Sequence, residues 1–203
     1  AGSEGPTTST FRHVSAYDHQ DLGEVCLAGK GEVAAALSAA FHARSKMSKL
    51  SSGARDSMLR QVAEPLNDRQ DEFAQTITAE TGKPISLARG EVQRAVGTFE
   101  LAAEETKRNI GEVVALDTLP SSEGRLGIVK RFPRGTVIGI TPFNFPINLV
   151  AHKVAPAIAA GCPVILKPAP QAPLTALMLG RILAQIGVPE GAFSILPCTK
   201  HIA

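Results

Sequence analysis

The stretch that decides the fold is GTVIGITPFNFPINLVAHKVAPAIAAGCPVILKPAPQAPLTAL, residues 135–177. Two short apolar runs within it, TVIGI and PVIL, are bounded by turn residues and have the length of buried strands. The residues between them, 147–160, carry apolar side chains at helical spacing. A second helical pattern over 174–186 and a third apolar run, AFSIL (192–196), follow. The order strand, helix, strand, helix, strand predicts a βαβαβ unit with a parallel sheet.

The chain before this unit has a helical pattern. Four stretches repeat apolar residues at helical spacing and predict helices: 32–50, a stretch after Ser52, 68–81 and 85–109. The third ends at Gly82 followed by Pro84, as a glycine C-cap does. Near the N-terminus, residues 12–17 predict a short strand. LGIVKRF (126–132) alternates in polarity and predicts another, and its proximity to TVIGI predicts a hairpin or a bent strand pair.

Length and composition limit the class of protein. A chain of 203 residues allows one domain, or one and a fraction. Apolar residues make up 44% and charged residues 20%, which is typical of a soluble globular chain. The net charge of +2 and the lack of Trp argue against a nucleic-acid partner. Residues 134–203 carry five basic side chains and one acidic side chain, a balance that suits a small anionic ligand.

The cysteines and the N-terminal sequence favour a particular cellular compartment. Cys26, Cys162 and Cys198 are odd in number and widely spaced, so they indicate neither a disulfide framework nor a metal site. We expect reduced thiols in a cytoplasmic protein. The first ten residues lack the basic and apolar regions of a signal peptide. The longest uncharged stretch contains prolines and asparagines that a transmembrane helix would not tolerate, so no membrane partner is expected.

Two loops follow the predicted strands, and ligands bind at such strand ends in doubly wound sheets. The first contains Asn144 between two Phe and two Pro residues, where its NH2 group is placed to donate to an oxyanion. The alternative is a turn Asn that hydrogen-bonds its own backbone. The second begins at Lys167, whose ammonium would hold a ribose hydroxyl or a phosphate, or would simply extend along the surface. Neither loop contains a glycine-rich dinucleotide fingerprint.

These motifs resemble the aldehyde dehydrogenase superfamily. That family has a strand ending in a Pro-aromatic-Asn-Phe-Pro loop, then a helix, an Ala-Ala-Gly turn and a strand ending in Lys-Pro. The earlier ETGKP (80–84), followed by Glu91, and VPEG (188–191) also match, and the resemblance covers about 14–196. The sequence NLVAHKVAP (148–156) is similar to that of the lactaldehyde, glycolaldehyde and phosphonoacetaldehyde dehydrogenases.

The resemblance implies an α/β fold, namely the N-terminal part of an aldehyde dehydrogenase-like fold with a helical segment before a partial Rossmann-like parallel sheet. It divides the chain into a helical part of the cofactor-binding domain (1–115), an oligomerisation hairpin arm (116–133) and the first βαβαβ half of the NAD(P)-binding domain (134–203). It also implies a small aldehyde substrate, NAD or NADP as cofactor, and a homo-oligomer, either a dimer or a tetramer.

The resemblance also assigns residues to roles. Asn144 would donate to the hemithioacetal oxygen formed when a cysteine thiolate attacks the aldehyde. Lys167 would reach the adenosine ribose. The remaining cofactor contacts would come from the first loop: Ile140, Thr141, Pro142 and Phe143.

Other positions depart from the family pattern or are less specific. NAD-preferring members commonly have Glu where this chain has Pro170, which makes use of NADP, or of both cofactors, more plausible. Arg108 and His152 would help to shape a pocket for a small polar or anionic aldehyde. The alternative for this pair is a surface histidine and a helix-end arginine that complements the helix dipole.

The family's catalytic cysteine and general-base glutamate lie later in the sequence than Ala203. None of the three cysteines present matches the nucleophile, so we expect an N-terminal fragment that cannot oxidise an aldehyde alone. The alternative is a non-catalytic, truncated module that binds a nucleotide or a protein partner through its unfinished sheet.

Overall fold

The computed structural model describes residues 9–108 and 111–202. It begins with an antiparallel hairpin of β1 (Ser9–Val14) and β2 (Asp21–Leu27). The sequence predicted only the first of these strands. In β2 only Val25 is buried, so the strand lacks the alternation that marks a half-buried strand.

Four helices follow, as predicted: α1 (Lys30–Ser48), α2 (Ser52–Asp68), α3 (Gln70–Thr81) and α4 (Ile85–Arg108). The Ser51 hydroxyl caps α2 by accepting from the Ala54 N–H at 3.1 Å. Gly82 ends α3 in the left-handed conformation, at a φ of 70°. The expected end of the fourth helix, at residue 109, lies outside the described residues.

A second hairpin corrects one prediction. β3 (Glu112–Ala115) pairs antiparallel with β4 (Leu126–Val129), with a short 3-10 helix at Pro120–Ser122 between them. The prediction that 126–132 pairs with 136–140 is therefore wrong. Pro133 interrupts the connection, since it fixes φ and has no N–H to donate to a ladder. Gly135, at a φ of 128°, then redirects the chain into a different sheet.

The predicted βαβαβ unit is confirmed. β5 (Val137–Ile140), β6 (Val164–Lys167) and β7 (Phe193–Ile195) form a parallel sheet in that order. Helices α5 (Asn148–Ala159) and α6 (Pro173–Gln185) connect them. The register pairs Ile140 with Lys167, so β5 and β6 end at the same level.

The core lies between the helical segment and one face of this sheet. Large, fully buried side chains come from α2, α3, α4, α5 and α6: Leu59, Phe73, Phe99, Ile158 and Leu179. On the opposite face, Ala36 and Ala40 of α1 cover Ile165 of β6. Beside it, Ile138 and Ile140 of β5 are 65% and 59% exposed. A parallel sheet is normally covered on both faces, so this face of β5 is an uncovered part of the fold.

None of the helices over 9–108 and 111–202 combines the length and the apolar character needed to cross a membrane.

Candidate functional site

The two strand-end loops meet at the carboxyl edge of the sheet. The Thr141 N–H donates to the Lys167 carbonyl at 3.1 Å, which joins the start of the first loop to the end of β6. The second loop turns back immediately, with the Ala172 N–H bonded to the Ala169 carbonyl at 3.1 Å. Ile140 and Thr141 thus lie beside Lys167, and the rest of the first loop, Pro142 to Asn144, starts from the same edge of the sheet as the turn that contains Pro170.

Asn144 lies on the exposed part of the first loop. Pro142, Phe143, Asn144 and Phe145 are exposed, whereas Thr141 and Pro146 at either end are buried. Among the described residues, no group forms a hydrogen bond with the Asn144 side-chain amide. The amide therefore does not close a local turn, and it is free to donate to a ligand.

A buried ion pair holds this loop. The Lys83 ammonium donates to the Glu91 carboxylate and, at 2.8 Å, to the main-chain carbonyl of Asn144. It also lies 4.4 Å from the centre of the Phe145 ring. The other Glu91 oxygen accepts from the N–H groups of Ile147 and Asn148 at 3.0 and 3.2 Å.

Helix α6, which follows the second loop, is held in a similar way. Glu80 is buried, and its carboxylate accepts from the N–H groups of Leu174 and Thr175 at 2.6 and 3.0 Å, and from the Thr175 hydroxyl. The His13 Nε2 atom lies 3.2 Å from Glu80 Oε1, which links the first hairpin to the same point. Glu80 thus fixes where α6 starts after the Lys167 loop.

Sequence reasoning gave no role to Lys83, Glu80 or Glu91 individually. The available signal was the ETGKP segment with its following Glu91. Such a segment identifies a family, but its contacts are 56 to 95 residues away along the chain. Local spacing does not indicate partners at that distance.

Lys167 provides a cation at the sheet edge. Its side chain is only partly buried, and over the described ranges no carboxylate pairs with it. Pro170, exposed in the following turn, offers no acidic group to a ligand. An ammonium without an acidic partner, beside exposed loop backbone, fits a group rich in hydroxyls or phosphates. The residues present therefore fit the ribose end of a dinucleotide.

Arg108 and His152 come together at a different place. Both line a cavity of about 590 Å³ formed by α4, α5 and the β3–β4 hairpin. Arg131, which sequence reasoning missed, lines it as well. Arg108 is already paired with Glu105 at 2.7 Å and Glu104 at 3.4 Å. Asn144 does not line this cavity, so the candidate substrate residues and the candidate oxyanion donor form two separate groups.

Lys107, the residue before Arg108, belongs to an ion-pair cluster. Asp56 of α2 accepts from Lys107 of α4 at 3.1 Å and from Arg60 at 3.2 Å. The hydrogen bond from Lys107, followed by attraction to both cations, lowers the pKa of Asp56 from its usual 3.8. The cluster joins the last turn of α4, which carries Arg108, to α2.

The three cysteines are free thiols, with Cys26 exposed and Cys162 and Cys198 buried. Within 9–108 and 111–202, no group of three or more His, Cys, Asp or Glu side chains is arranged to hold a metal ion. Cys162 precedes β6 and so lies at the amino edge of the sheet, opposite Asn144.

Comparison with known proteins places these features in a family. The chain is 40% identical over 190 residues to the 3-sulfolactaldehyde dehydrogenase of Priestia aryabhattai, covering 94% of this chain and 39% of that protein. Aldehyde dehydrogenase 21 of Physcomitrella patens, solved with its reaction product succinate, superposes with a TM-score of 0.93 at 45% identity, covering 98% of this chain and 41% of that one.

A further solved relative is the glyceraldehyde-3-phosphate dehydrogenase of Methanocaldococcus jannaschii complexed with NADP. Its TM-score is 0.88 at 33% identity, covering 95% of this chain and 42% of that one. The chain thus spans about two-fifths of the length of these relatives. The model of the aldehyde dehydrogenase family matches residues 4–203. The chain therefore belongs to the aldehyde dehydrogenase family.

Proposed function

We propose that this chain supplies the oxyanion donor and the first half of the cofactor sheet to an enzyme that oxidises a small aldehyde to its carboxylic acid with NAD or NADP. The observation that carries the proposal is the position of Asn144 and Lys167 on adjoining loops at one edge of a parallel sheet. The free amide of Asn144 donates to the oxygen that becomes negative when a thiolate attacks the carbonyl. The thiolate comes from residues beyond 203.

NAD or NADP, when bound, would supply the hydride acceptor for the reaction. Lys167 would hold its adenosine ribose, and the backbone of Ile140, Thr141, Pro142 and Phe143 would contact it at the edge of the sheet. The proline at position 170 leaves room for the 2′-phosphate of NADP and places no carboxylate against it. Related enzymes have been solved with either cofactor, the one from Methanocaldococcus jannaschii with NADP and PnpE with NAD, so the relatives leave both cofactors open.

The substrate that we propose is a small aldehyde with a polar or anionic tail, of the lactaldehyde, glycolaldehyde or phosphonoacetaldehyde type. Arg108, Arg131 and His152 line the cavity between α4, α5 and the β3–β4 hairpin. Because Asn144 lies outside this cavity, the cavity gives no support for where the aldehyde carbonyl reacts. The names of two relatives, which refer to sulfolactaldehyde and succinate, point to the same class of substrate.

The test is an assay of the protein translated from the full coding sequence. NAD(P)H formation from aldehydes with and without an anionic tail is measured by absorbance. Replacing Asn144 by Ala should lower kcat by about 10²- to 10³-fold, the usual effect of removing an oxyanion donor. An N144A enzyme with unchanged kcat would show that Asn144 has no such role. Activity of the 203-residue chain alone would contradict the proposal that the nucleophilic thiolate comes from residues beyond 203.

A second candidate is a non-catalytic interaction module, and the uncovered Ile138 and Ile140 of β5 favour it. The two candidate functions predict different coding sequences after residue 203. A downstream Gly-Gln-x-Cys segment supports the enzyme, whereas a stop codon supports the module. Intact-mass measurement of the protein isolated from its source gives the same answer independently.

The assembly that we propose for the enzyme is a homo-oligomer, a dimer or a tetramer, in the cytoplasm. The β3–β4 hairpin exposes Val113, Leu126 and Ile128, which favours burial against another subunit. Light scattering should give a mass of two or four subunits, and Ile128→Lys should lower it. The three free thiols support a reducing compartment, and cell fractionation tests that location.

A further inference from the structure

Among the described residues, Lys83 is the cation of the helical segment that hydrogen-bonds the backbone of the Asn144 loop. Arg94 of α4 also contacts the loop, with its guanidinium 5.3 Å from the centre of the Phe145 ring. Its side chain is 15% exposed and its partner, Glu91, is 1% exposed. Burying two charges is favourable only when hydrogen bonds satisfy both of them. Here the ammonium uses the Asn144 carbonyl at 2.8 Å, and the carboxylate uses the N–H groups of Ile147 and Asn148.

The Lys83–Glu91 pair holds the loop at two points three residues apart, the Asn144 carbonyl and the Ile147 N–H. The pair holds the carbonyl of Asn144 on one side and the first amides of α5 on the other. The carbonyl and the side-chain amide of Asn144 belong to the same residue, so holding the carbonyl restricts the directions in which the amide can point. Phe145 lies between these two points in sequence, and its ring centre is 4.4 Å from the ammonium.

We propose that Lys83, held by Glu91, is a positioning residue that orients the side-chain amide of Asn144 toward the oxyanion. This role rests on the proposed function, because Lys83 acts only through Asn144. In this role Lys83 would contact neither the aldehyde nor the cofactor. Its effect on the reaction is therefore expected in kcat and not in the KM for NAD(P).

The first test replaces Lys83 by Met in the full-length enzyme, which keeps the length of the side chain and removes the donor. We expect kcat to fall about 10- to 100-fold, the size of effect that a misplacement of about 1 Å produces. The KM for NAD(P) stays within about twofold. Lys83→Arg restores a donor and recovers part of kcat. The matched control is Arg89→Met, which breaks the exposed pair between Arg89 of α4 and Asp71 of α3 and leaves kcat unchanged.

A double-mutant cycle separates positioning from general support of the fold. In an Asn144→Ala background, Lys83→Met should change kcat by less than about twofold, because the group that it orients is gone. A further loss equal to that in the wild-type background overturns the positioning role. If Asn144→Ala alone leaves kcat unchanged, the proposed function fails instead. If Asn144→Ala lowers kcat and Lys83→Met does not, only the positioning role fails.

Hydrogen–deuterium exchange on the full-length enzyme gives a readout that needs no activity. In Lys83→Met, the amides of Ile147 and Asn148 should exchange at least about tenfold faster than in Arg89→Met, because Glu91 loses the cation that fixes it. The amides in β6 should be unaffected. Equal exchange in the two variants overturns the role of Lys83 in holding the loop. If Lys83→Met does not fold, Lys83→Gln is measured against the same control and the same criterion.

Discussion

At the scale of residues, two distant glutamates, Glu91 and Glu80, cap the N-termini of α5 and α6. The residues at the N-caps of α5 and α6, Ile147 and Ala172, have no side-chain cap of their own. Glu91 and Glu80 supply carboxylates to the first N–H groups of these helices from far earlier in the chain. A negative charge at a helix N-terminus is favourable, and it satisfies donors that would otherwise be buried without a partner.

Removing the Glu80 carboxylate should destabilise the fold. In Glu80→Ala the buried N–H groups of Leu174 and Thr175 lose their acceptor, and we expect the free energy of unfolding to fall by about 2–4 kcal/mol. Urea unfolding followed by circular dichroism measures the change. Glu100→Ala, at an exposed position of α4, serves as the control and should change it by less than about 0.5 kcal/mol. Equal effects of the two variants would contradict the capping role.

The residue at position 170 should set the preference between the two cofactors. Pro170→Glu places an acceptor for the ribose 2′-OH and a charge that repels a 2′-phosphate. We expect the ratio of kcat/KM for NAD over NADP to rise at least about tenfold, which corresponds to about 1.4 kcal/mol. Gln171→Glu adds the same charge one residue later and should shift the ratio much less. An unchanged ratio in Pro170→Glu would mean that the ribose does not lie at this turn.

At the scale of elements, the sequence predicted those helices and strands that have a periodic apolar pattern. All four early helices, both crossover helices and the three parallel strands were predicted, because each has an apolar face that packs into the main core or, for α1, into smaller clusters on the other face of the sheet. Strand β3 was missed because all four of its residues are exposed. For the site, the loop positions of Asn144 and Lys167 followed from the strand ends. The Lys83 anchor did not, since it depends on a contact 61 residues away in sequence.

Helix α1 packs directly against the turn before β7. Gly191 has a φ of 77°, and a Cβ there would lie 2.5 Å from the Ala39 carbonyl oxygen of α1. Gly187 has a similar φ of 72° but open space around it. We expect Gly187→Ala to lower the free energy of unfolding by about 1 kcal/mol and Gly191→Ala by at least about twice that. Thermal unfolding compares the two, and equal losses would show that α1 does not press on this turn.

For the molecule as a whole, the Asp56 cluster makes stability depend on pH. The pKa of Asp56 is lowered in the folded state, so its contribution is present above its usual pKa of 3.8 and is lost as the pH falls through the folded value. Asp56→Asn should therefore lower the free energy of unfolding at pH 7, and the difference from the wild type should shrink below about pH 4. Urea unfolding at a series of pH values tests this. A difference that does not vary with pH would contradict it.

The two acidic caps, Glu80 and Glu91, are synthesised before the helices that they cap. Glu80 and Glu91 leave the ribosome 56 to 95 residues before the amides that they bind. Domains generally fold as units during translation, with the N-terminal parts first. The helical segment can therefore present both acceptors before α5 and α6 emerge from the exit tunnel. The first turn of each crossover helix then finds its acceptor already folded, and the two strand-end loops become ordered as they are made.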